Sequence, residues 1–349
     1  MEKPLLPTLQ SKSIAIFRAL QLGDMLCATP ALRALRAACP HARITLIGLP
    51  WAKVLVARYP RYLDDFIAFP GFPGMPEQAA DTAAFPAFLA DVRARSFDLA
   101  IQMHGDGRIT NGLVREFGVR CTAGFGIAPV SGLPGFLPYP EHGAEIRRLL
   151  ALTDFLGAPA QGDHLEFPLN PSDEAELLDS GVATGLAPGR YICLHAGARS
   201  EARRWPPEHF AAVGDRLYEA HGLPLVLTGS QFETGLTAAV RKAMRAPAVD
   251  AAAPISAGAL AALLRGARLL VCNDTGVAHI AAALHLPSVI VFRASDISRW
   301  APLDRTLHRP VWAPGDRGLS EVLREARTLL KRSPPGSTDR ARVRSPLPC

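Results

Sequence analysis

The most restrictive feature of the sequence is a repeated alternation of short β-rich runs with helical stretches. In the first half, the apolar runs Ser13–Arg18, Arg43–Gly48 and Phe97–Gln102 are separated by segments with apolar residues at helical spacing. The alternation begins again at Tyr191–His195 and continues through Leu269–Cys272. Strands that alternate with helices are typical of parallel sheets covered by helices. We therefore predict an α/β fold with two Rossmann-like domains whose parallel sheets face a central cleft.

A proline-bearing segment between the two halves sets the predicted domain boundaries. At 349 residues the chain is long for one hydrophobic core. Residues 157–189 contain four prolines and only a short acidic helix, which is typical of an interdomain linker. We predict a first domain at 1–157, a linker at 158–189, a second domain at 190–332 and a disordered basic tail at 333–349.

The charge distribution favours no nucleic-acid partner. The formal net charge is +6, of which the stretch from Lys331 to Cys349 carries +4 and the remainder +2. Such a small excess on the body does not require nucleic-acid binding. The basic tail is predicted to be solvated, with contact to an anionic membrane surface as the alternative.

The sequence also predicts a cytoplasmic protein without a metal or redox motif. No apolar run approaches the roughly 18 residues of a membrane span, and residues 1–11 lack the apolar core of a signal peptide. The six cysteines include no CxxC pair, so those in strand-like runs are predicted to be reduced core thiols. Motifs of the DxD, HExxH, GxxxxGK[ST] and GxSxG types are absent from the sequence.

A carboxylate follows the first predicted strand. The segment Leu22-Gly-Asp-Met25 lies between that strand and a helix, so Gly23 would allow a tight turn. Asp24 would then lie at the carboxyl edge of the sheet, where ligands of open α/β sheets bind. A carboxylate there can act as a general base. The alternative is that Asp24 only caps the helix, since aspartate is favoured at that position.

A stronger signal lies between a buried strand and an alanine-rich helix. The residues Val271-Cys-Asn-Asp-Thr-Gly276 predict a turn from Asn273 to Gly276, at which a glycine lets an anion approach backbone N–H groups. The helix start carries positive partial charge, so a diphosphate is the expected ligand, with Thr275 donating its hydroxyl. His279, one turn further, lines the pocket or only contacts the core.

A basic loop follows the strand that ends at His195. It carries Arg199, Arg203 and Arg204 before a helix that begins after Pro206. Guanidinium groups at a strand end suit phosphate oxygens, because each can donate two parallel hydrogen bonds. The alternative is a solvated basic loop.

Together these segments resemble glycosyltransferase family 9, the ADP-heptose:lipopolysaccharide heptosyltransferases, which have the GT-B fold. The resemblance covers roughly Ile14 to Leu330. It rests on four groups of residues in a fixed order: Gly23-Asp24 with Thr29–Leu35, Arg204–Pro206 with Phe210, Asn273–Gly276 with His279, and Val291-Phe292 with Trp300–Pro302.

The resemblance implies an inverting, metal-independent transfer of heptose from ADP-L-glycero-β-D-manno-heptose to a lipopolysaccharide inner-core acceptor. Asp24 would remove the proton of the acceptor hydroxyl. The first domain would bind the acceptor through Arg18 and Gly23, and the second would bind the nucleotide sugar. The implied donor-binding residues are Arg203, Glu233, Ile255, Asp274, Thr275, Gly276 and His279. No cofactor is implied beyond the ADP-sugar substrate. The partners are the donor and an anionic lipopolysaccharide precursor, met in the cytoplasm or peripherally at the cytoplasmic face of the inner membrane.

Two departures and three alternatives qualify this reading. Arg203 stands where the family commonly has lysine, and Ala196 to Ala198 stand where members often have hydroxyl residues. The alternatives are a related transferase with another sugar donor or a protein acceptor, and a non-catalytic nucleotide-sugar-binding module. A nicotinamide oxidoreductase is disfavoured, because no helix-opening glycine follows Gly124-Phe-Gly126.

Overall fold

The computed structural model describes residues 5–9, 12–129, 133–315 and 317–332. The chain forms two compact units, Met1–Pro168 and Leu169–Cys349. Each unit contains one six-stranded sheet in which every strand pairs parallel to its neighbours. The tail predicted at 333–349 lies outside the described residues.

The first unit has its sheet in the order β3-β2-β1-β4-β5-β6. Its strands are β1 (Ser13–Phe17), β2 (Arg43–Gly48), β3 (Asp65–Ala68), β4 (Leu99–Gln102), β5 (Cys121–Gly126) and β6 (Phe136–Pro138). Its helices are α1 (Leu5–Leu9), α2 (Leu22–Cys27), α3 (Thr29–Ala38), α4 (Lys53–Arg58), α5 (Phe85–Ala94), α6 (Thr110–Arg115) and α7 (Glu145–Leu156).

The second unit repeats this arrangement in the order β12-β11-β10-β7-β8-β9. Its strands are β7 (Ile192–His195), β8 (Leu225–Thr228), β9 (Ala248–Ala251), β10 (Leu269–Asn273), β11 (Ser288–Phe292) and β12 (His308–Trp312). Its helices are α8 (Pro171–Asp179), α9 (Pro207–His221), α10 (Thr234–Ala243), α11 (Ala257–Gly266), α12 (Gly276–Ala283), α13 (Ile297–Trp300) and α14 (Leu319–Arg332).

The central strands are continuous apolar runs because both faces of each sheet are covered. Every residue of β7, β10 and β11 is buried, as expected for parallel strands between layers of helices. Cys193 and Cys272 lie in these strands as buried free thiols, and burial raises the pKa of both. The prediction of reduced core thiols in these strands is confirmed.

The helix predicted from Leu26 to Ala38 is divided into α2 and α3. Pro30 has no N–H to donate to the carbonyl of Leu26 four residues earlier, and the Thr29 hydroxyl donates to that carbonyl instead, at 2.9 Å. The helical conformation also begins earlier than predicted, at Leu22, with Gln21 at the N-cap. Asp24 therefore lies in the first turn of α2, so the capping alternative is wrong, and Gly23 is a helical residue rather than a turn glycine.

The segment predicted as a linker contains α8, which belongs to the second unit. The units divide between Pro168 and Leu169. A capping box formed by Asn170 and Asp173 fixes the start of α8. Glu176 of this helix accepts hydrogen bonds from the backbone N–H and the hydroxyl of Ser256, at 2.6 and 2.5 Å. These bonds join α8 to the start of α11.

The glycine at position 124 of β5 serves strand packing. A Cβ at Gly124 would lie 2.6 Å from the carbonyl oxygen of Gln102 on β4, closer than carbon and oxygen can approach. Only glycine fits between these paired strands. The glycine at position 124 is thus explained without a nucleotide.

Two further observations apply to the described residues only. No helix there is both long enough and apolar enough to cross a membrane. The same part of the chain contains no group of three or more His, Cys, Asp or Glu side chains that could hold a metal ion.

Candidate functional site

The strand orders place the predicted motifs at the topological switch point of each sheet. In the first unit β1 and β4 are neighbours, and in the second β7 and β10 are neighbours. In doubly wound sheets the winding direction reverses between such a pair, which leaves a crevice for ligands at their carboxyl ends. Asp24 follows β1, the basic loop follows β7, and the turn before α12 follows β10.

The turn between β10 and α12 leaves the start of the helix open to a ligand. Thr275 occupies the N-cap in an extended conformation, and its side chain makes no capping hydrogen bond. The start of α11 differs, because there the Ser256 side chain accepts a hydrogen bond from the N–H of Ala259. An uncapped helix start presents N–H groups and positive partial charge to an anion. The predicted strand–turn–helix arrangement is therefore present, with Gly276 as its first helical residue.

The buried side-chain amide of Asn273 joins the basic loop to this turn through two hydrogen bonds. The side chain of Asn273 is fully buried. Its Oδ1 accepts a hydrogen bond from the N–H of Trp205 at 3.0 Å, and its Nδ2 donates to the carbonyl of Ala196 at 2.7 Å. The loop is thus held at both ends by the last residue of β10.

Asp274 holds a cation beside the helix start. Arg203 Nη1 lies 3.5 Å from Asp274 Oδ2, and the side chains are 40% and 4% exposed. The Ser295 hydroxyl donates to the same oxygen of Asp274. The carboxylate is therefore buried among donors, while the guanidinium reaches the surface. A guanidinium so placed can bind phosphate oxygens.

Glu233 lies against the other end of the basic loop. Its Oε2 accepts hydrogen bonds from the N–H and the hydroxyl of Ser230, both at 2.9 Å. A Cβ on Gly197 would lie 2.1 Å from Glu233 Oε1, so a larger residue there would displace the carboxylate from this position. Glu233 follows β8, the strand beside β7.

The buried imidazole of His195 lies beneath this loop. His195 Nδ1 is 3.0 Å from the hydroxyl of Thr228. Burial lowers the pKa of His195, although the nearby Glu233 carboxylate opposes the shift. The imidazole is therefore neutral at pH 7 and supports the loop without adding charge.

Two predicted donor-binding residues, Ile255 and His279, are not part of the exposed surface of the basic loop. Ile255 lies away from that loop, and His279 is buried. Ile255 is half-buried after β9, the strand at the far edge of the sheet, and its N–H donates to the carbonyl of Ala253 at 2.7 Å. His279 lies one turn into α12 and is only 3% exposed. His279 is near enough to His308 to contribute to the lowering of that residue's pKa. Phe232, next to Glu233, is 88% exposed.

In the first unit, the Arg18 side chain donates hydrogen bonds to the backbone carbonyl of Asp24. Arg18 is 1% exposed, and its Nε and Nη2 donate to the Asp24 carbonyl at 3.2 and 2.8 Å. Its Nη1 donates to the carbonyl of Met103, and its Nη2 lies 3.2 Å from Glu145 Oε1. Glu145 also accepts from Arg148 Nη1 at 2.8 Å. The guanidinium is thus directed into the protein, and its contact with an acceptor stays a prediction.

The structure adds residues that the sequence patterns did not single out. Arg293 and Ser295 follow β11, the strand beside β10, and Arg293 Nη1 donates to the carbonyl of Arg204. The same reasoning from strand ends would have found both, because they come directly after a buried β-branched run. The ion triad of Arg18, Glu145 and Arg148 had no such signal, since Arg18 is 127 residues from Glu145 along the chain.

Comparison with known proteins finds a match to one glycosyltransferase family. Residues 141–311 match the family model for glycosyltransferase family 9 (heptosyltransferase). Lipopolysaccharide heptosyltransferase 3 of Escherichia coli is 24% identical over 297 residues, which cover 80% of this chain and 83% of that protein.

Solved structures show the same fold. A glycosyltransferase of family 9 from Veillonella parvula DSM 2008 has a TM-score of 0.76 at 20% identity, with 92% of this chain and 98% of that chain covered. The E. coli ADP-heptose lps heptosyltransferase II has a TM-score of 0.71 at 21% identity, with 92% and 99% covered. The predicted α/β fold of the GT-B type is confirmed by this likeness. The chain is a glycosyltransferase, and its residues 141–311 match glycosyltransferase family 9.

Proposed function

We propose that the protein transfers a heptose from ADP-heptose to an inner-core acceptor of a lipopolysaccharide precursor, with inversion and without a metal. One observation carries the proposal: the uncapped start of α12, with the Arg203 guanidinium held beside it by Asp274. Two relatives support the choice of substrates. One is lipopolysaccharide heptosyltransferase 3, and another is the E. coli heptosyltransferase WaaC, solved with ADP, at a TM-score of 0.66 and 17% identity.

The donor diphosphate would occupy the start of α12. The N–H groups of the first turn, the Thr275 hydroxyl and the Arg203 guanidinium all donate hydrogen bonds, and a diphosphate offers only acceptors. Hydrogen bonds to charged groups each contribute about 1.5–3 kcal/mol. Gly276 places no Cβ between the backbone and the phosphate oxygens. This set of donors supplies the charge neutralisation that a metal supplies in other nucleotide sites.

The nucleoside and the sugar would extend along the same sheet edge. Glu233 offers a carboxylate oxygen to ribose hydroxyls, and Ile255 offers apolar surface to the base, in the direction from β8 to β9. His279 and Asp274 would border the heptose. Both are buried, so they would shape that part of the pocket by packing and by holding Arg203.

The reaction would be a single displacement at the anomeric carbon. The acceptor hydroxyl oxygen forms a bond to that carbon as its bond to the ADP oxygen breaks, and the hydroxyl proton passes to the Asp24 carboxylate. The charge that develops on ADP is stabilised by the start of α12 and by Arg203. A positioned general base contributes about 10²- to 10⁴-fold to such a rate.

The acceptor would be an anionic lipopolysaccharide precursor bound by the first unit. Gly23, one residue before Asp24 in α2, has no side chain to obstruct the approach of a sugar hydroxyl. Arg18 would act on the acceptor through Asp24, whose carbonyl it holds. The substrate class implies action in the cytoplasm or at the cytoplasmic face of the inner membrane as a peripheral protein.

A donor screen tests the proposal. The purified full-length protein is incubated with a deacylated lipopolysaccharide core acceptor and with ADP-heptose, ADP-glucose or UDP-glucose, with and without EDTA. We expect a mass increase of one heptose from ADP-heptose alone, unchanged by EDTA, with the anomeric configuration inverted by NMR. Preference for another sugar nucleotide, loss of activity in EDTA or retention of configuration would each overturn the corresponding part of the proposal.

The same preparation separates an enzyme from a binding module. Calorimetric titration with ADP measures the donor site independently of transfer. If ADP binds but none of the donors is consumed with any core acceptor, the protein is a nucleotide-binding module and the proposed transfer is wrong.

A further inference from the structure

A second pocket lies in the second unit at the amino ends of the strands of its sheet, opposite the proposed donor site. It is a cavity of about 310 Å³ bordered by Arg190, His221, Arg268 and Lys331, with Leu223 and Leu330 between them. Arg190 precedes β7, Arg268 precedes β10, and Lys331 is in the last turn of α14. The pocket is therefore at the amino ends of the strands, whereas the proposed donor site is at their carboxyl ends. We call it the basic pocket.

The titratable residues that border the basic pocket are three cations and one histidine. No acidic side chain is among the described residues that line it. Arg190 and Lys331 are exposed and form no ion pair with any described residue. Three other exposed arginines of this unit have a carboxylate partner within the described residues, for example Arg245 with Asp215 at 3.2 Å.

The electrostatic environment of His221 independently indicates a positive field. The pKa of His221 is lowered by partial burial and then by the nearby charges of Arg327, Arg268 and Lys331. All three charges act in the same direction, and no carboxylate of a described residue opposes them. Arg327 therefore belongs to the same cationic cluster, although it does not line the cavity.

Helix ends alone do not explain this cluster. α9 and α14 both end here, and cations stabilise the negative end of a helix. Arg268 serves this purpose, because its Nη2 donates to the carbonyl of Leu330 at 2.8 Å. Two helix ends supply together roughly one negative charge. Arg268 is already engaged, and the cluster holds three further cations, Arg190, Arg327 and Lys331. A net positive charge of about two therefore remains to attract an anion.

We propose that the basic pocket binds a phosphate group. Two guanidinium groups and one ammonium border a concave site, and guanidinium forks match phosphate oxygens in pairs. The cavity is at the lower end of the size range of small-molecule sites, roughly 300–1,000 Å³, which suits a phosphate with a small substituent. The phosphate is either a free ion or monoester, or the headgroup of an anionic phospholipid.

Binding is tested on the full chain with two probes. Isothermal titration at constant ionic strength measures inorganic phosphate. Co-sedimentation measures vesicles of phosphatidylcholine with and without phosphatidylglycerol. The test variant is Arg190→Gln with Lys331→Gln, because both side chains are exposed and their loss leaves the fold intact. The matched control is Arg241→Gln with Lys242→Gln, which removes the same charge from exposed positions in the last turn of α10.

The proposal makes one comparison decisive. We expect wild type and control to bind at least one probe with equal affinity, and the test variant to bind it about tenfold or more weakly. Binding of phosphate alone identifies a soluble ligand, and binding only to vesicles with phosphatidylglycerol identifies a lipid headgroup. Absence of binding to both probes, or equal weakening in both double variants, overturns the proposal. Transfer activity of the test variant on a soluble acceptor should be unchanged, because the donor site is at the other sheet edge.

Discussion

Replacing Arg18 should test how the first unit holds Asp24. In Arg18→Met the Asp24 carbonyl loses its hydrogen bonds from Nε and Nη2, at 3.2 and 2.8 Å, and the Met103 carbonyl loses its bond from Nη1. Glu145 loses a partner at 3.2 Å but keeps Arg148 at 2.8 Å. The substitution therefore removes one of two cations around a single carboxylate and leaves a paired ion behind.

The magnitude follows from which groups are left without partners. Each buried carbonyl without a donor costs about 1–3 kcal/mol, so the two carbonyls together cost about 2–6 kcal/mol. The remaining ion pair of Glu145 and Arg148 adds little to the loss of stability, because its two charges still balance. Glu145→Gln should be at least as destabilising, at about 3–5 kcal/mol, since it leaves two buried cations without their carboxylate. Arg18→Lys keeps the charge, but an ammonium group cannot donate the paired hydrogen bonds of a guanidinium. The free energy of unfolding of this variant should therefore lie between those of wild type and Arg18→Met.

Urea denaturation and hydrogen exchange measure these effects. We expect Arg18→Met to lower the free energy of unfolding by about 2–6 kcal/mol and to reduce amide protection in α2. The kcat should fall by about 10- to 100-fold with little change in the KM for donor, because only the position of Asp24 changes. The control Arg43→Met breaks a pair whose arginine is 63% exposed and should cost less than about 1 kcal/mol. If Arg18→Met unfolds with the same free energy as Arg43→Met, the bonds to Asp24 do not stabilise this unit and the reasoning is wrong.

Three further predictions concern the second unit. Asn273→Ala should lower its free energy of unfolding by about 2–5 kcal/mol in urea denaturation, because a buried donor and a buried acceptor lose their partner; a change below about 1 kcal/mol would contradict the proposed fastening. Burial lowers the pKa of His308 to about 4. The free energy of unfolding should therefore be highest above pH 6.5 and fall by about 3 kcal/mol as the pH drops towards 4. His308→Gln should remove this loss in denaturation curves, whereas His41→Gln, at an exposed position, should not. Arg203→Met should raise the Kd for ADP by about tenfold in calorimetry, and an unchanged Kd would remove Arg203 from the donor site.

The general architecture could be predicted from sequence because its signals are local. Buried strands are continuous apolar runs, and the turn before α12 shows both an N-cap residue and a glycine at Thr275 and Gly276. The strand-end argument placed Asp24 and Arg203 at sheet edges without any contact information. Identification of the family then depended on the order of these motifs.

The remaining features depend on contacts between distant residues. The division into α2 and α3 was missed because an apolar helical pattern continues through Pro30 and hides the lost hydrogen bond. The burial of Arg18 could not be predicted, since its partner Glu145 lies 127 residues away. The close approach of Glu233 to Gly197 likewise becomes visible only in the folded structure.

The role of Asp24 as the general base is tested most directly by Asp24→Asn. Heptose transfer from ADP-heptose to the core acceptor is measured by mass spectrometry, beside ADP binding by calorimetry, with the exposed Asp91→Asn as control. We predict that Asp24→Asn lowers the transfer rate by about 10²- to 10⁴-fold, with the ADP affinity and circular dichroism spectrum of the wild type. A transfer rate equal to that of Asp91→Asn would show that another group accepts the proton.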